Sequence, residues 1–159
     1  MVESIKTLLD GELKLFHVEF SSAQAQRVAF GAPVTELATF HTQSKSTELS
    51  ENAQKFAEIV AKDANGFVAA ASGWSIEDVE HEKLDGKGKV FFLAVGWDSY
   101  DLHMAYRESE SFKNNISLLR HGVESVEMHH VKMISPEGSA PPRVDDDPRI
   151  GTVSGKEQP

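Results

Sequence analysis

The chain contains no cysteine, and this absence removes several kinds of chemistry. Disulfides, thiolate metal sites and a cysteine nucleophile are excluded. A glycine-rich phosphate loop, a Gly-x-Ser-x-Gly motif and a dinucleotide fingerprint are also missing, which argues against nucleotide-dependent chemistry and serine hydrolysis. No apolar run approaches the roughly 20 residues needed to span a bilayer, and no secretory signal is visible. We therefore expect a cytoplasmic protein.

Positive charge is scarce as well. The chain has 16 basic against 25 acidic residues, a formal net charge of −9. The basic residues are scattered, and such a surface repels phosphate backbones and anionic lipids. We expect no nucleic-acid partner and no membrane partner.

Proline is rare in most of the chain and concentrated at its end. Five of the six prolines lie at or beyond Pro136. This segment has few large apolar residues and no periodicity, so it cannot offset the entropy lost on ordering. Residues 135–159 are predicted to be a disordered tail that follows a single domain.

Residues 33–134 carry alternating strand and helix signals. The apolar patterns, Ser and Thr caps and Gly turns predict the order β-α-β-β-α-β, the ferredoxin-like arrangement of an α+β domain. The predicted elements are strands at Val34–Thr42, Phe67–Trp74, Lys89–Trp97 and Val123–Met133, and helices at Glu48–Asp63 and Ser99–His121.

The third predicted strand has apolar residues at both its odd-numbered and its even-numbered positions. Val90 and Phe92 fall on one face, while Phe91 and Leu93 fall on the other. A sheet with one face in water would alternate, so both faces should be covered. A second sheet, from a second copy of the chain or from an internal repeat, would make the domain half of a dimeric or pseudo-dimeric α/β barrel.

Residues 1–32 offer two interpretations. The segment Ile5–Gly11 resembles Ile116–Gly122 without a gap. It is either the remnant of a preceding half-barrel or an N-terminal helix and strand that extend the sheet.

The strand that ends at Trp97, the capping Ser99, the aromatic Tyr106 and the restart Ser109-Glu110-Ser111-Phe112-Lys113 resemble the dimeric α/β-barrel superfamily, in its antibiotic-biosynthesis-monooxygenase branch. The resemblance covers about residues 33–134. It implies a homodimer that handles a small hydrophobic or aromatic molecule. It implies no single activity, because the superfamily hosts oxygenases, cyclases, lyases and proteins without known chemistry.

At two positions this chain lacks a histidine that relatives carry, and each difference argues against one kind of chemistry. Haem-degrading relatives carry a histidine ligand where this chain has Ile116, and cyclase-like relatives often carry a histidine where it has Phe112. Haem and the cyclase mechanism are therefore not expected. No HExxH and no His-x-His motif occurs, and His129 and His130, adjacent on a strand, point to opposite faces. We expect neither a metal nor another cofactor.

Candidate site residues remain. His103 and Arg107 share one helix face with Tyr100 and are expected at the mouth of a cavity, where they would bind substrate and move a proton. Inside the barrel, Trp74 and Trp97 would shape the pocket. His41 or His130 would be the base, and His129 would contact substrate.

Two functions fit these residues. The first is a cofactor-independent monooxygenase, or related lyase or cyclase, of secondary metabolism that acts on an aromatic or polyketide-like metabolite. The second is a non-catalytic dimeric barrel, ligand-binding or stress-associated, whose histidines and tryptophans fill a core.

Overall fold

A computed structural model describes Gly11 and residues 13–134 of the chain. Within this part the strands are β1 (Val18–Phe20), β2 (Val34–Thr42), β3 (Phe67–Ser75), β4 (Val79–Glu80), β5 (Lys87–Trp97) and β6 (Val123–Val131). The helices are α1 (Ala23–Phe30), α2 (Thr47–Asp63), α3 (Tyr100–Arg107) and α4 (Glu110–Asn115), followed by a 3₁₀ turn at Ile116–Leu119. The predicted tail and the segment before Gly11 lie outside the described residues.

Serine hydroxyls begin all four helices. Ser22, Ser46, Ser99 and Ser109 each accept a hydrogen bond from the backbone N–H three residues later, which satisfies one of the free donors of the first turn. The cap of α2 is Ser46, and the helix begins at Thr47, one residue before the predicted start at Glu48. Ser109 has an extended backbone, and it divides the single helix predicted over Ser99–His121 into α3 and α4.

The sheet has the strand order β1-β3-β5-β2-β6, and neighbouring strands are antiparallel. The order β3-β5-β2-β6 is that of a ferredoxin-like domain, and the short β1 adds to its β3 edge. The predicted α+β, ferredoxin-like fold is confirmed. Between β3 and β5 lies a short strand that was not predicted, β4, which pairs with the start of β5.

Helices cover one face of the sheet with the main core. From β2 and β5, Ala38, Phe40, Phe91 and Leu93 pack among α2, α3 and the 3₁₀ turn. We call this side the helix face. Alternate residues point to the other side. There Ala71 of β3 and Ala94 of β5 pack against Ala29 of α1, and we call this side the α1 face.

The α1 helix, which sequence reasoning did not predict, explains much of the doubly apolar β5. It packs over β3 and β5, where Gly96 permits the approach. A Cβ at Gly96 would lie 2.7 Å from the Ala32 Cβ and 2.9 Å from the Ala29 carbonyl oxygen. The second layer over this part of the sheet is therefore a helix of the same chain. Among the described residues, no helix is long and apolar enough to cross a membrane.

Candidate active site

A cavity of about 320 Å³ lies between the helix face and the helices that cover it. Most of its wall is aromatic or aliphatic, with contributions from Phe40, Phe56, Trp97 and Met128. Its ionisable wall residues are Glu36, His103, Arg107 and Arg120. An apolar cavity with a few convergent polar groups is typical of a small-molecule site.

Glu36 is the most unusual of these groups. It lies on β2 at the parity of Ala38 and Phe40, so its side chain enters the helix face, where only 12% of it is exposed. Its Oε2 lies 3.1 Å from Nε2 of His103. The register places Glu36 opposite Val95 of β5 on one side and His130 of β6 on the other.

His103 connects Glu36 to the outer side of the site. The ring of this α3 residue is buried, with a relative exposure of 2%, and stacks on Trp97 at a centroid distance of 4.7 Å. Its Nδ1 lies 2.8 Å from Nε2 of His130, on β6. The ring of His130 packs edge-on against the Tyr100 ring, with centroids 5.0 Å apart. Glu36, His103 and His130 thus lie in a row with donor–acceptor distances of 3.1 and 2.8 Å, and we call them the triad.

Burial sets the protonation of the triad. Desolvation raises the pKa of Glu36 to about 7, and the nearby Trp97 indole and the Arg107 charge oppose part of this rise. The Trp97 Nε1 is buried and meets no partner at hydrogen-bond geometry, so its influence on Glu36 is that of a nearby dipole.

Both histidines of the triad are weak bases. Desolvation, followed by the His130 and Arg107 charges, lowers the pKa of His103 to about 4. Desolvation and then Arg107 lower the pKa of His130. At neutral pH the two rings are therefore neutral, while Glu36 lies near the midpoint of its titration.

These protonation states allow a proton to pass through the triad. When Glu36 is protonated, its O–H donates to His103 Nε2, and His103 Nδ1–H donates to His130 Nε2. When His130 Nδ1 loses its proton, the His103 Nδ1 proton can move to His130 Nε2, and the Glu36 proton can move to His103 Nε2. Glu36 is then a carboxylate that accepts from His103 Nε2–H. No imidazolium forms, which agrees with the lowered pKa values of both rings.

The structure brings together five of the eight predicted site residues. Trp97 and Arg107 line the cavity, His103 and His130 belong to the triad, and Tyr100 packs on its outer end. Arg107 also lies over the Phe112 ring, with its Cζ 5.8 Å from the centroid.

The other three lie elsewhere. His41 lies on the α1 face, opposite Val90 and Ser125. Trp74 lies on the helix face but in a neighbouring cleft, where its indole N–H donates to Ser50 Oγ at 2.8 Å. His129 is exposed and points to the opposite side from His130, as the strand alternation predicts. Their predicted roles remain untested predictions.

Sequence reasoning missed Glu36. The signal was present in Val34-Thr35-Glu36-Leu37-Ala38-Thr39-Phe40, where Glu36 occupies the parity of Ala38 and Phe40. A carboxylate among the apolar, alternate residues of a strand is either buried with them or lies where that face of the sheet is uncovered. Sequence reasoning considered only histidines as bases and so did not select it.

Comparison with known proteins gives a resemblance in shape. No family model matches the chain, and no curated protein matches it. Among solved structures, SnoaB, a cofactor-independent oxygenase from Streptomyces nogalater, is 15% identical with a TM-score of 0.48, over 67% of this chain and 97% of that one. A protein from Arabidopsis thaliana is 16% identical with a TM-score of 0.48, over 65% and 98%.

A candidate antibiotic biosynthesis monooxygenase from Caulobacter crescentus is 15% identical with a TM-score of 0.43, over 72% of this chain and 100% of that one. At these identities and TM-scores the similarities carry no conclusion about the activity of this chain. The strand order of its own sheet makes it a ferredoxin-like α+β domain.

Proposed function

We propose that the protein is an enzyme in which Glu36 removes a proton from an aromatic or polyketide-like metabolite held in the cavity. The resulting electron-rich anion would react with molecular oxygen, with no haem, nucleotide or metal in the cavity. One observation carries this proposal: a buried carboxyl on an apolar cavity wall lies 3.1 Å from the His103 imidazole, which is in turn hydrogen-bonded to His130.

The protonation of Glu36 suits a general base. A base works best when its pKa is close to the working pH, because it is then both available and strong enough to accept a proton. Burial gives Glu36 a pKa of about 7. An exposed glutamate would be far too weak a base for a phenol or an activated carbon acid.

The cavity wall suits an aromatic substrate whose charge appears during the reaction. Phe40, Phe56 and Trp97 supply apolar contact area, and Arg107 and Arg120 supply positive charge. When Glu36 accepts a proton, negative charge moves from the carboxylate to the substrate. A guanidinium in a site of low dielectric stabilises that anion more strongly than it would in water.

Anthrone, a three-ring ketone, is a suitable probe. Glu36 would take one proton from its central methylene, and the enolate would donate electrons to oxygen. A carbon–oxygen bond forms at the methylene carbon and gives a hydroperoxide. Its O–O bond breaks as the second methylene hydrogen leaves within the departing water, so anthrone and oxygen yield anthraquinone and water. The substrate supplies all the electrons, and no external reductant is needed.

The test is oxygen consumption and anthraquinone formation by the full chain and by Glu36→Gln. The amide has the same shape but cannot accept the proton, so kcat should fall about 10²–10⁴-fold. Glu124→Gln, an exposed carboxyl on β6, is the matched control and should be fully active. Equal turnover by Glu36→Gln and the wild type would show that Glu36 is not the base.

A second candidate function is passive binding of a hydrophobic ligand by a non-catalytic module. The predominantly apolar wall of the cavity favours it. Trp97, on that wall, reports occupancy by its fluorescence. If anthrone quenches this fluorescence saturably while no product forms with anthrone or related phenols, the binding module is the better description.

We also propose a homodimer. Helix α1 lies mainly over β3 and β5. On the α1 face it leaves β6 and the middle of β2 less covered, where Thr39 and Val131 are half-buried and His129 is exposed. A second copy laid on this area would complete an α/β barrel. Light scattering should give twice the 17.5 kDa chain mass, and Val131→Lys should give a monomer. A wild-type monomer at micromolar concentration would contradict the dimer.

A further inference from the structure

A second group of ionisable side chains lies on the α1 face, away from the cavity. His41 projects from β2, His81 follows directly after β4, and Glu127 projects from β6. The two imidazole rings are stacked, with centroids 3.9 Å apart. Glu127 reaches both rings: its Oε2 is 3.7 Å from His41 Nε2, and its Oε1 is 3.5 Å from His81 Nε2.

His41 has an unmet requirement for a partner. Its relative exposure is 4%, and neither ring nitrogen has a hydrogen-bond partner at normal geometry. Its distance to Glu127 is too long for a hydrogen bond. A buried polar group left without a partner costs about 1–3 kcal/mol, so proteins rarely retain one without a reason. A bound cation at Nε2 would supply the missing partner.

The three side chains can converge on one ion. One ligand atom from each lies within 4.8 Å of the others. Around a tetrahedral metal with bonds of about 2.0–2.2 Å, neighbouring ligand atoms lie about 3.3 Å apart. The shortest observed separations are 3.5 and 3.7 Å, so rotamer adjustments of His81 and Glu127 would close the site. Both can adjust, because Glu127 is exposed and His81 is only partly buried.

We propose that His41, His81 and Glu127 bind one divalent first-row transition metal ion, with Zn²⁺ as its simplest representative. Two imidazoles and one carboxylate suit Zn²⁺, Co²⁺ or Ni²⁺ and do not suit Mg²⁺ or Ca²⁺, which prefer oxygen ligands. Desolvation, and then the neighbouring His81, lower the pKa of His41, which keeps this ring in the neutral form that binds metals.

The charge around the site favours a cation. Lys14, Glu80 and Glu82 line the cleft next to His81. Together with Glu127 they give three carboxylates. The opposing ammonium groups are Lys14 and Lys87, whose Nζ lies 3.9 Å from Glu80, so the acidic groups remain in excess by one.

The proposed ion would have a structural effect. Among the described strands, His81 follows β4, which pairs only with β5, and Glu127 lies on the edge strand β6, which pairs only with β2. A metal bound by His81, Glu127 and His41 would therefore link the β4 segment to β6 across the inner strand β2. Since binding to the folded state alone stabilises it, the protein should become harder to unfold in the presence of the ion. This site is independent of the triad, because His41 and Glu36 point to opposite faces.

The test is calorimetric titration of the untagged, chelator-treated full chain with Zn²⁺. One Zn²⁺ should bind per chain. His81→Ala and Glu127→Gln should each weaken binding by at least about tenfold, since each removes a ligand. His129→Ala is the matched control. It removes an exposed histidine on the same strand and face, two residues from Glu127, and should leave binding unchanged.

A second measurement separates loss of the site from loss of the fold. Zn²⁺ should raise the melting temperature of the wild type and of His129→Ala by the same amount, and should raise that of Glu127→Gln by less at the same Zn²⁺ concentration. Glu127 is half-exposed on an edge strand, so its replacement by glutamine is compatible with folding. Absence of Zn²⁺ binding by the wild type, or equal loss in His129→Ala, would overturn the proposal. So would unchanged affinity in both ligand variants.

Discussion

The replacement Glu36→Gln should change how stability depends on pH. The glutamate pKa is 4.5 in the reference state and about 7 in the folded protein. Because the folded state holds this proton more tightly, the stability contributed by Glu36 is fully present below pH 4.5 and is lost as the pH rises through 7. Glutamine resembles the protonated carboxyl and does not titrate, so the variant should not show this loss.

The size of the stability change follows from how much more proton the folded state holds than the unfolded state. Between pH 6 and pH 8 the folded state holds on average about half a proton more, which over this range corresponds to about 1.4 kcal/mol. Over this range the free energy of unfolding of Glu36→Gln, relative to wild type, should rise by that amount. His103 contributes little to the difference, because its lowered pKa keeps it neutral in both folded proteins.

Urea denaturation at pH 6 and pH 8 measures this difference directly. Both conditions stay above the isoelectric region near pH 5.2, where association would complicate unfolding. Glu124→Gln, which changes an exposed carboxyl on β6, is the control and should follow the wild-type pH dependence. If the stability difference between Glu36→Gln and wild type is the same at both pH values, Glu36 is not held protonated by burial, and the reasoning fails.

Three further predictions concern packing and the proton path. Gly96→Ala should lower the free energy of unfolding by about 1–3 kcal/mol, measured in urea, because the added Cβ meets α1; a neutral effect would show that α1 does not pack there. Leu119→Ala should cost about 2–5 kcal/mol in the same assay, while Leu15→Ala should cost less than about 0.5, since Leu119 is 3% exposed and Leu15 68%. His103→Phe should keep the ring stacking on Trp97 but remove both nitrogens, so kcat for anthrone should fall at least about tenfold at constant KM; an unchanged kcat would separate His103 from the chemistry.

Much of the fold could be predicted from local patterns. Strand β2 has the predicted bounds, and β5 and β6 differ from theirs by two residues at one end. Helix α1 was missed because its eight residues, Ala23–Phe30, are short and contain small and polar residues. Its role becomes visible only when Gly96 and Ala94 are seen to face it across the sheet. The apolar residues on both faces of β5 correctly predicted a second layer over the sheet. Which element forms that layer depended on tertiary packing.

The site was partly predictable for the same reason. His103 and Arg107 share a helix face by their spacing, and Trp97 follows a strand, so their association could be inferred. The pairing of His103 with His130 depends on how β6 registers against β2, which the sequence leaves open. Glu36 required a different inference, from the one carboxylate on an apolar parity. The grouping of His41 with His81 and Glu127 joins residues up to 86 positions apart, beyond any local motif.

The proposed chemistry depends on Glu36 being a buried carboxyl that titrates near neutral pH and is coupled to two neutral histidines. A ¹³C NMR pH titration of the glutamate side-chain carboxyls tests this, with the Glu36 signal identified by its absence in Glu36→Gln. That signal should have a midpoint of about 7, and the His103 and His130 ring nitrogens should shift over the same pH range. A midpoint near the ordinary 4.5, with histidine signals unchanged between pH 6 and pH 8, would show that Glu36 is not such a group.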